Sequence, residues 1–176
     1  MRILQVVHGL YPMRKAGTEI YTYYLSRELA KEHEVHVFYP VFEKTAKREL
    51  RIREIKREGM HLHELVIPNG ILDKIKRLWS SMFFENTYRN LEIEEIFEKL
   101  LKEVNPDIIH FQHLIGLSAG LIEIAKRHGF PTVLTLHDYW FMCPTINLLR
   151  WDYSLCEGLH PEMCWSEKQL YNLGEI

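Results

Sequence analysis

His137 and Asp138 stand where an apolar run stops. Residues 131–144, PTVLTLHDYWFMCP, pass from Val133, Leu134 and Leu136 to an imidazole and a carboxylate, then to Tyr139, Trp140, Phe141 and Cys143. An apolar run of this length after Gly129 and Pro131 reads as a strand buried on both faces. In a parallel α/β sheet the ligand crevice lies outside the carboxyl ends of the strands, so such a strand aims its terminal side chains at that crevice. Adjacent residues on an extended chain face opposite sides, which argues against a His137–Asp138 dyad. The reading of His137 is either a donor or base or a structural residue, and that of Asp138 either a ligand contact or the cap of the next turn. His113 has the same ambiguity, at the end of the apolar run DIIHFQ (107–112). His110, inside that run, reads as a satisfied core histidine.

A third candidate is the segment GLYPMRKAG, residues 9–17, with two glycines, a proline and two cations ahead of a helix. A glycine at a helix start lets backbone N–H groups approach an anion, and the helix dipole favours negative charge there. Ala16, Gly17 and Thr18 therefore read either as a phosphate approach or as a simple turn. Neither G-x-G-x-x-G nor G-x-x-x-x-G-K-[ST] is present.

The remaining chemistry is cysteine and histidine. Cys143, Cys156 and Cys164 are spaced C-x12-C-x7-C with His160 between the last two, and no C-x2-C pair exists to nucleate a metal site. A Cys3His metal site, a structural or redox cysteine pair and free thiols all stay open. His61 and His63 lie two apart on one face of a strand, a spacing that suits a metal but more often marks solvated surface residues. No nucleophile elbow, HExxH or EF-hand loop occurs.

The elements that position these groups alternate. RILQVVH is a first strand, TEIYTYYLSRELAKEH a helix capped by Thr18 with Ile20, Tyr24, Leu25 and Leu29 as its buried stripe, and EVHVFY a second strand. ELRIREIKRE, residues 49–58, fits either an exposed strand or a short charged helix; Gly59 then turns the chain into the strand MHLHELVIP. Residues 71–84, ILDKIKRLWSSMFF, form an amphipathic helix with Lys74, Lys76 and Arg77 on one face. That face suits either an anionic membrane surface or plain solvent. NLEIEEIFEKLLKEV is a helix with Glu95–Lys99 at i,i+4, stopped by Asn105-Pro106, and residues 117–128 form another. The order predicts an α/β fold: a Rossmann-like, doubly wound, mostly parallel sheet whose strands one, four and five deliver the Gly17 loop, His113 and His137-Asp138 to one edge with a cleft.

Length and composition bound the rest. The 176 residues fit one domain; 47% hydrophobic, 26% charged and a net charge of -2 are globular values without the basic surplus of a nucleic-acid binder. No apolar run nears the roughly 18 residues of a membrane span. The opening MRILQVVHGL has no signal-peptide core, so the expected location is cytoplasmic, peripheral at a membrane if residues 71–84 bind one.

RILQVVHGLYP…AGTEIYTYYLSRELAKEHEVHVF, PDIIHFQH and, above all, GFPTVLTLHDYWFMCP with the later Cys156-Glu157-Gly158 and Cys164 resemble the amino-terminal half of a GT-B glycosyltransferase of family 4. The resemblance covers essentially the whole chain. It implies retaining transfer of a sugar from a nucleotide-sugar donor to a glycan or lipid-linked acceptor, in a cleft between two Rossmann-like domains and without a metal or other cofactor. By that resemblance Ala16, Gly17 and Thr18 lie by the donor diphosphate and acceptor, His137 approaches the donor sugar, and this domain mainly holds the acceptor. Two features depart from the family pattern: Ala16 replaces the first of two glycines, and Glu167 stands where a last cysteine is common.

The expectation is thus a single acceptor-side domain over residues 1–176, catalytic through His137, with Ala16, Gly17, Thr18, His113 and Asp138 binding substrate. The carboxyl-terminal donor domain is absent, WSEKQLYNLGEI begins a further helix, and the chain reads as a fragment inactive by itself. The alternatives are a non-catalytic glycan or lipid-linked-sugar binding module working with a separate donor-domain partner, and a cysteine-based metal or redox protein.

Overall fold

In the computed structural model the opening RILQV becomes β1 (Arg2–Val6), buried along its last four residues. The structure describes residues 1–44, 49–68, 89–143, 146–150 and 152–158. Around β1 assemble β2 (Glu34–Glu43), β3 (Arg51–Arg57), β4 (Met60–Pro68), β5 (Ile108–Phe111) and β6 (Thr132–Leu134), with α1 (Gly17–Leu29), α2 (Leu91–Val104) and α3 (Gly120–Arg127) between them. The six strands lie in the order β3-β4-β2-β1-β5-β6, and every pairing is parallel except β3 with β4. This is the mostly parallel α/β sheet that the alternation of elements predicts.

Of residues 49–58, Arg51–Arg57 form the antiparallel strand β3. Glu58 and Gly59, at φ +50° and +80°, form the two-residue turn to β4. Positive φ at both central positions matches the twist of the flanking strands, and Gly59 supplies one of them at no steric cost.

The sheet buries both faces along its middle strands. On one face Val7, Val35, Val37, Tyr39, Met60 and Leu62 gather under Leu10 and Tyr23. On the other, Phe97 of α2 is fully buried against Phe38, with ring centroids 5.4 Å apart, and Phe111, at 6.2 Å. A Phe buried so completely contributes roughly 2–3 kcal/mol. The helix that carries it is well bounded. Asn90 Oδ1 accepts from Ile93 N–H at 3.2 Å, and Asn105 ends α2 at φ +44°.

Two expectations about packing are corrected. The strand before His137 is not buried on both faces: β6 is three residues long at the sheet edge, with Val133 43% and Leu134 41% exposed. An apolar run looks the same in sequence whether or not other elements pack over both of its faces. The buried stripe of α1 is not Ile20, Tyr24, Leu25 and Leu29 either; it is Glu19, Thr22, Tyr23 and Ser26, while Ile20 and Tyr24 are exposed and Leu25 and Leu29 half-buried. Thr22 and Ser26 are small, and the Thr22 hydroxyl is satisfied inside the helix by donating to the Thr18 carbonyl at 2.7 Å. That leaves room for the one charged member of the stripe, Glu19.

The chain forms two compact units, Met1–Thr135 and Leu136–Ile176. In the second, Trp140 and Cys143 are buried, Trp140 stands edge-on to Phe141 at 4.9 Å, and a short bridge pairs Leu149 with Leu155. Among the described residues no helix is long and apolar enough to cross a membrane. Residues 71–84, expected as the basic amphipathic helix, lie outside the described residues, as do Cys164, His160 and Glu167.

Candidate functional site

Because β1 and β5 are parallel neighbours, their carboxyl ends open on the same edge, and each is followed by a histidine. His8 comes two residues after β1 and His113 two residues after β5; their ring centroids are 4.6 Å apart, tilted by 52°. His113 is buried, and its Nδ1 accepts the Ile115 N–H at 3.1 Å. In the neutral ring that acceptor role puts the proton on Nε2.

Glu19 reaches the same place from the first turn of α1. Its Oε1 lies 3.2 Å from His8 Nε2 and 3.9 Å from Arg14 Nη1, and the residue is 2% exposed. Oε2 is buried and has no hydrogen-bond partner. A buried carboxylate needs a paired positive charge, and the two available donors here are His8 and the half-exposed Arg14. Sequence reasoning missed both His8 and Glu19. The signal for His8 was present, since it follows the first strand as His113 follows the fifth.

At the start of α1 one expectation is corrected. Thr18 does not cap α1: the N-cap is Ala16, without a side-chain bond, and the first intrahelical bond runs from Ile20 N–H to the Ala16 carbonyl. An uncapped first turn leaves N–H groups pointing out at its positive end. Ala16 and Gly17 are exposed and Thr18 half-buried. A Cβ on Gly17 would meet nothing within 4 Å, so no packing demands a glycine there.

His110 is the satisfied histidine that its place inside β5 predicts, with Nε2 2.8 Å from Thr135 Oγ1 and Gln112 Nε2 at 3.1 Å from Nδ1. His137 and Asp138 belong to the second unit. Asp138 Oδ1 accepts the Trp140 N–H at 2.8 Å, which is a turn-capping role. Cys156 donates to the Gly158 carbonyl at 2.9 Å, and Cys143 and Cys156 are not joined in a disulfide. Among the described residues no group of three or more His, Cys, Asp or Glu side chains could hold a metal ion.

His61 and His63 are not the solvated pair their spacing suggests. His63 is 4% exposed, and both rings stack with His36, at 4.7 Å for His61 and 5.1 Å for His63. Register is the reason: parallel pairing sets His36 beside His61, so all three rings lie on one face.

A concavity of about 370 Å³ lies at the opposite, amino-terminal edge, between Met1, Arg2, Glu34 and Asp107. Two of its carboxylates are already held: Glu34 lies 3.1 Å from Arg2 Nε, and Asp107 Oδ2 accepts the Arg2 backbone N–H at 2.6 Å. The carboxyl edge, with a buried carboxylate oxygen left over, is the better candidate for chemistry.

Residues 16–172 match the family described as Glycosyltransferase Family 4. The chain is 24% identical over 154 residues to an uncharacterized 42.6 kDa protein in the cps region of Klebsiella pneumoniae, covering 85% of this chain and 40% of that one. Its fold is similar to the E. coli structure described as trehalose-6-phosphate bound with UDP-2-fluoro glucose, with TM-score 0.51 and 16% identity over 98% of this chain and 43% of that one. The chain thus spans about two fifths of the length of each.

Proposed function

From a chain that belongs to glycosyltransferase family 4 and has an α/β fold of the GT-B type, we propose the acceptor-side domain of a retaining hexosyltransferase. The donor is a nucleotide-sugar and the acceptor a glycan or lipid-linked sugar. In the reaction the bond from the sugar's anomeric carbon to the diphosphate oxygen breaks, and a bond to an acceptor hydroxyl oxygen forms on the same face, the hydroxyl proton passing to the departing diphosphate. The observation that carries the reading is the meeting of His8, Glu19 and His113 at the carboxyl edge, at the uncapped start of α1.

Several of the groups at this edge have a role in that scheme. The open N–H groups of Gly17 and Thr18 and the Arg14 guanidinium favour the charge gathering on the leaving diphosphate. His113 offers its Nε2–H to an acceptor oxygen. His137 approaches the donor sugar as the family resemblance implies, and Asp138 orders the turn behind it. No metal is required. The fluorinated nucleotide-sugar in the E. coli relative supports the donor class.

A second domain supplies donor binding in this scheme, so the 176-residue chain alone is inactive. The test is nucleoside-diphosphate release from a panel of nucleotide-sugars, with calorimetric titration of candidate glycans. Expected are no turnover and glycan binding that weakens about tenfold in His113→Ala. Turnover lost in His137→Ala would overturn the need for a second domain. Nucleotide-sugar binding with no glycan binding would overturn the acceptor-side assignment.

A further inference from the structure

We propose that the His36–His63 imidazole pair is an acid-sensitive latch that fastens the β3–β4 hairpin to β2. The latch stands apart from the glycosyltransferase site and does not depend on it. It is built on a line of polar atoms across three strands. His36 Nε2 lies 3.0 Å from Glu34 Oε1, His36 Nδ1 lies 2.8 Å from His63 Nε2, and His63 Nδ1 lies 3.2 Å from Glu54 Oε1. His36 is 7% exposed and His63 4%.

The hydrogen bond to Glu34 sets one arrangement of the protons. The Glu34 carboxylate can only accept, so His36 donates from Nε2. In the neutral ring His36 Nδ1 then accepts, and His63 donates to it from Nε2. His63 Nδ1 is left without a proton, buried, and out of hydrogen-bond alignment with Glu54. Two protons thus serve three contacts. A third proton, arriving at His63 Nδ1 past the exposed Glu54, makes a buried cation beside His36 and the stacked His61. A fourth, on His36 Nδ1, removes the acceptor and breaks the bond between the rings.

Charged and titratable groups surround the pair from each strand of this face. β1 contributes Arg2, 3.1 Å from Glu34; β3 contributes Glu54 and Lys56, the latter opposite His61; β4 contributes His61 itself. The residue of α2 against this face near β2, Phe97, carries no charge. Burial, followed by His36, holds the His63 ring well below its usual range, at about 4, and burial lowers His61 in the same direction. Rings that refuse protons when latched and accept them when released make release easier as acid is added.

Imidazole nitrogen NMR and amide hydrogen exchange on the 176-residue chain test this directly. Expected is a His63 signal that titrates well below the ordinary histidine range, at about 4. Opening of β3 and β4, corrected for chemical exchange, should rise roughly tenfold per pH unit below about 6.5, to a total on the order of 100-fold, and should stay easier than opening of β1 and β5 at every pH. His63→Asn should remove most of that dependence and leave the part carried by His61. If His63→Asn does not fold, Glu54→Gln on the exposed side should push the His63 step lower without touching the fold. A His63 ring that titrates near about 6.5, or β3 and β4 opening only together with β1 at one free energy, would overturn the latch.

Discussion

Glu19 Oε1 sits 3.2 Å from His8 Nε2, which ties the first turn of α1 to the residue that follows β1. This contact explains why α1 turns a carboxylate inward and leaves Ile20 and Tyr24 outside. It also places a charge beside the two histidines of the candidate site.

Glu19→Gln keeps the shape and removes the charge. The amide then buries a donor where the carboxylate had an acceptor, so the substitution should cost roughly 1–3 kcal/mol in urea unfolding. An unchanged midpoint would mean that the pairing adds nothing to the fold.

Gly120 is the first residue of α3, and a Cβ there would lie 2.2 Å from Glu94 Oε1 and 2.9 Å from Arg89 Nε. Glu94 is buried and held by Ser118 Oγ at 2.6 Å and by Arg89 Nε at 2.8 Å. Gly120→Ala must displace this ion pair, and we expect a loss of about 2–4 kcal/mol by chemical denaturation. Gly17→Ala, which meets nothing, serves as the control and should leave the fold intact.

Acid should weaken the protein in two stages. His63 is held at about 4 in the folded state, against an ordinary histidine value of 6.5, and His61 is also lowered. Their folded values lie below the unfolded ones, so their contribution is complete above about 6.5 and is lost as pH falls toward 4, costing roughly 2 kcal/mol. Glu34 and Glu43, lowered by hydrogen bonds from His36 and Arg53 respectively, add their loss only below the usual carboxylate range. Urea midpoints at about pH 7, 5.5 and 4.5 read the first stage; a flat midpoint over that span would contradict it.

The exposed edge strand makes its own prediction. Val133→Lys and Leu134→Lys should each change stability by less than about 0.5 kcal/mol and reduce self-association measured by light scattering, since lysine blunts an open strand edge. A loss of several kcal/mol would show that β6 is covered in solution.

Much of the architecture was legible because local rules decided it. Asn90, the apolar spacing of Ile93, Phe97, Leu100 and Leu101, and Asn105-Pro106 are a start, a face and a stop that need no partner to recognise. Gly59 announced the hairpin turn, although whether residues 49–58 were strand or helix depended on β4 lying beside them. His113 was readable as a strand-end histidine. The face of α1 was not, because Tyr, Thr and Leu at mixed spacings fit several stripes until one contact chooses among them.

The alternation of strand and helix, the mostly parallel sheet and the family were all readable along the chain, since they follow from periodicity, turn residues and motif. Which polar groups meet was settled by folding in three dimensions. His8 and Glu19 are 11 residues apart, and His36 and His63 are 27 apart. Their contacts exist because parallel register sets β1, β2, β4 and β5 side by side in one phase. A one-residue slip in any pairing turns those side chains to the other face, and nothing local in the chain records that phase.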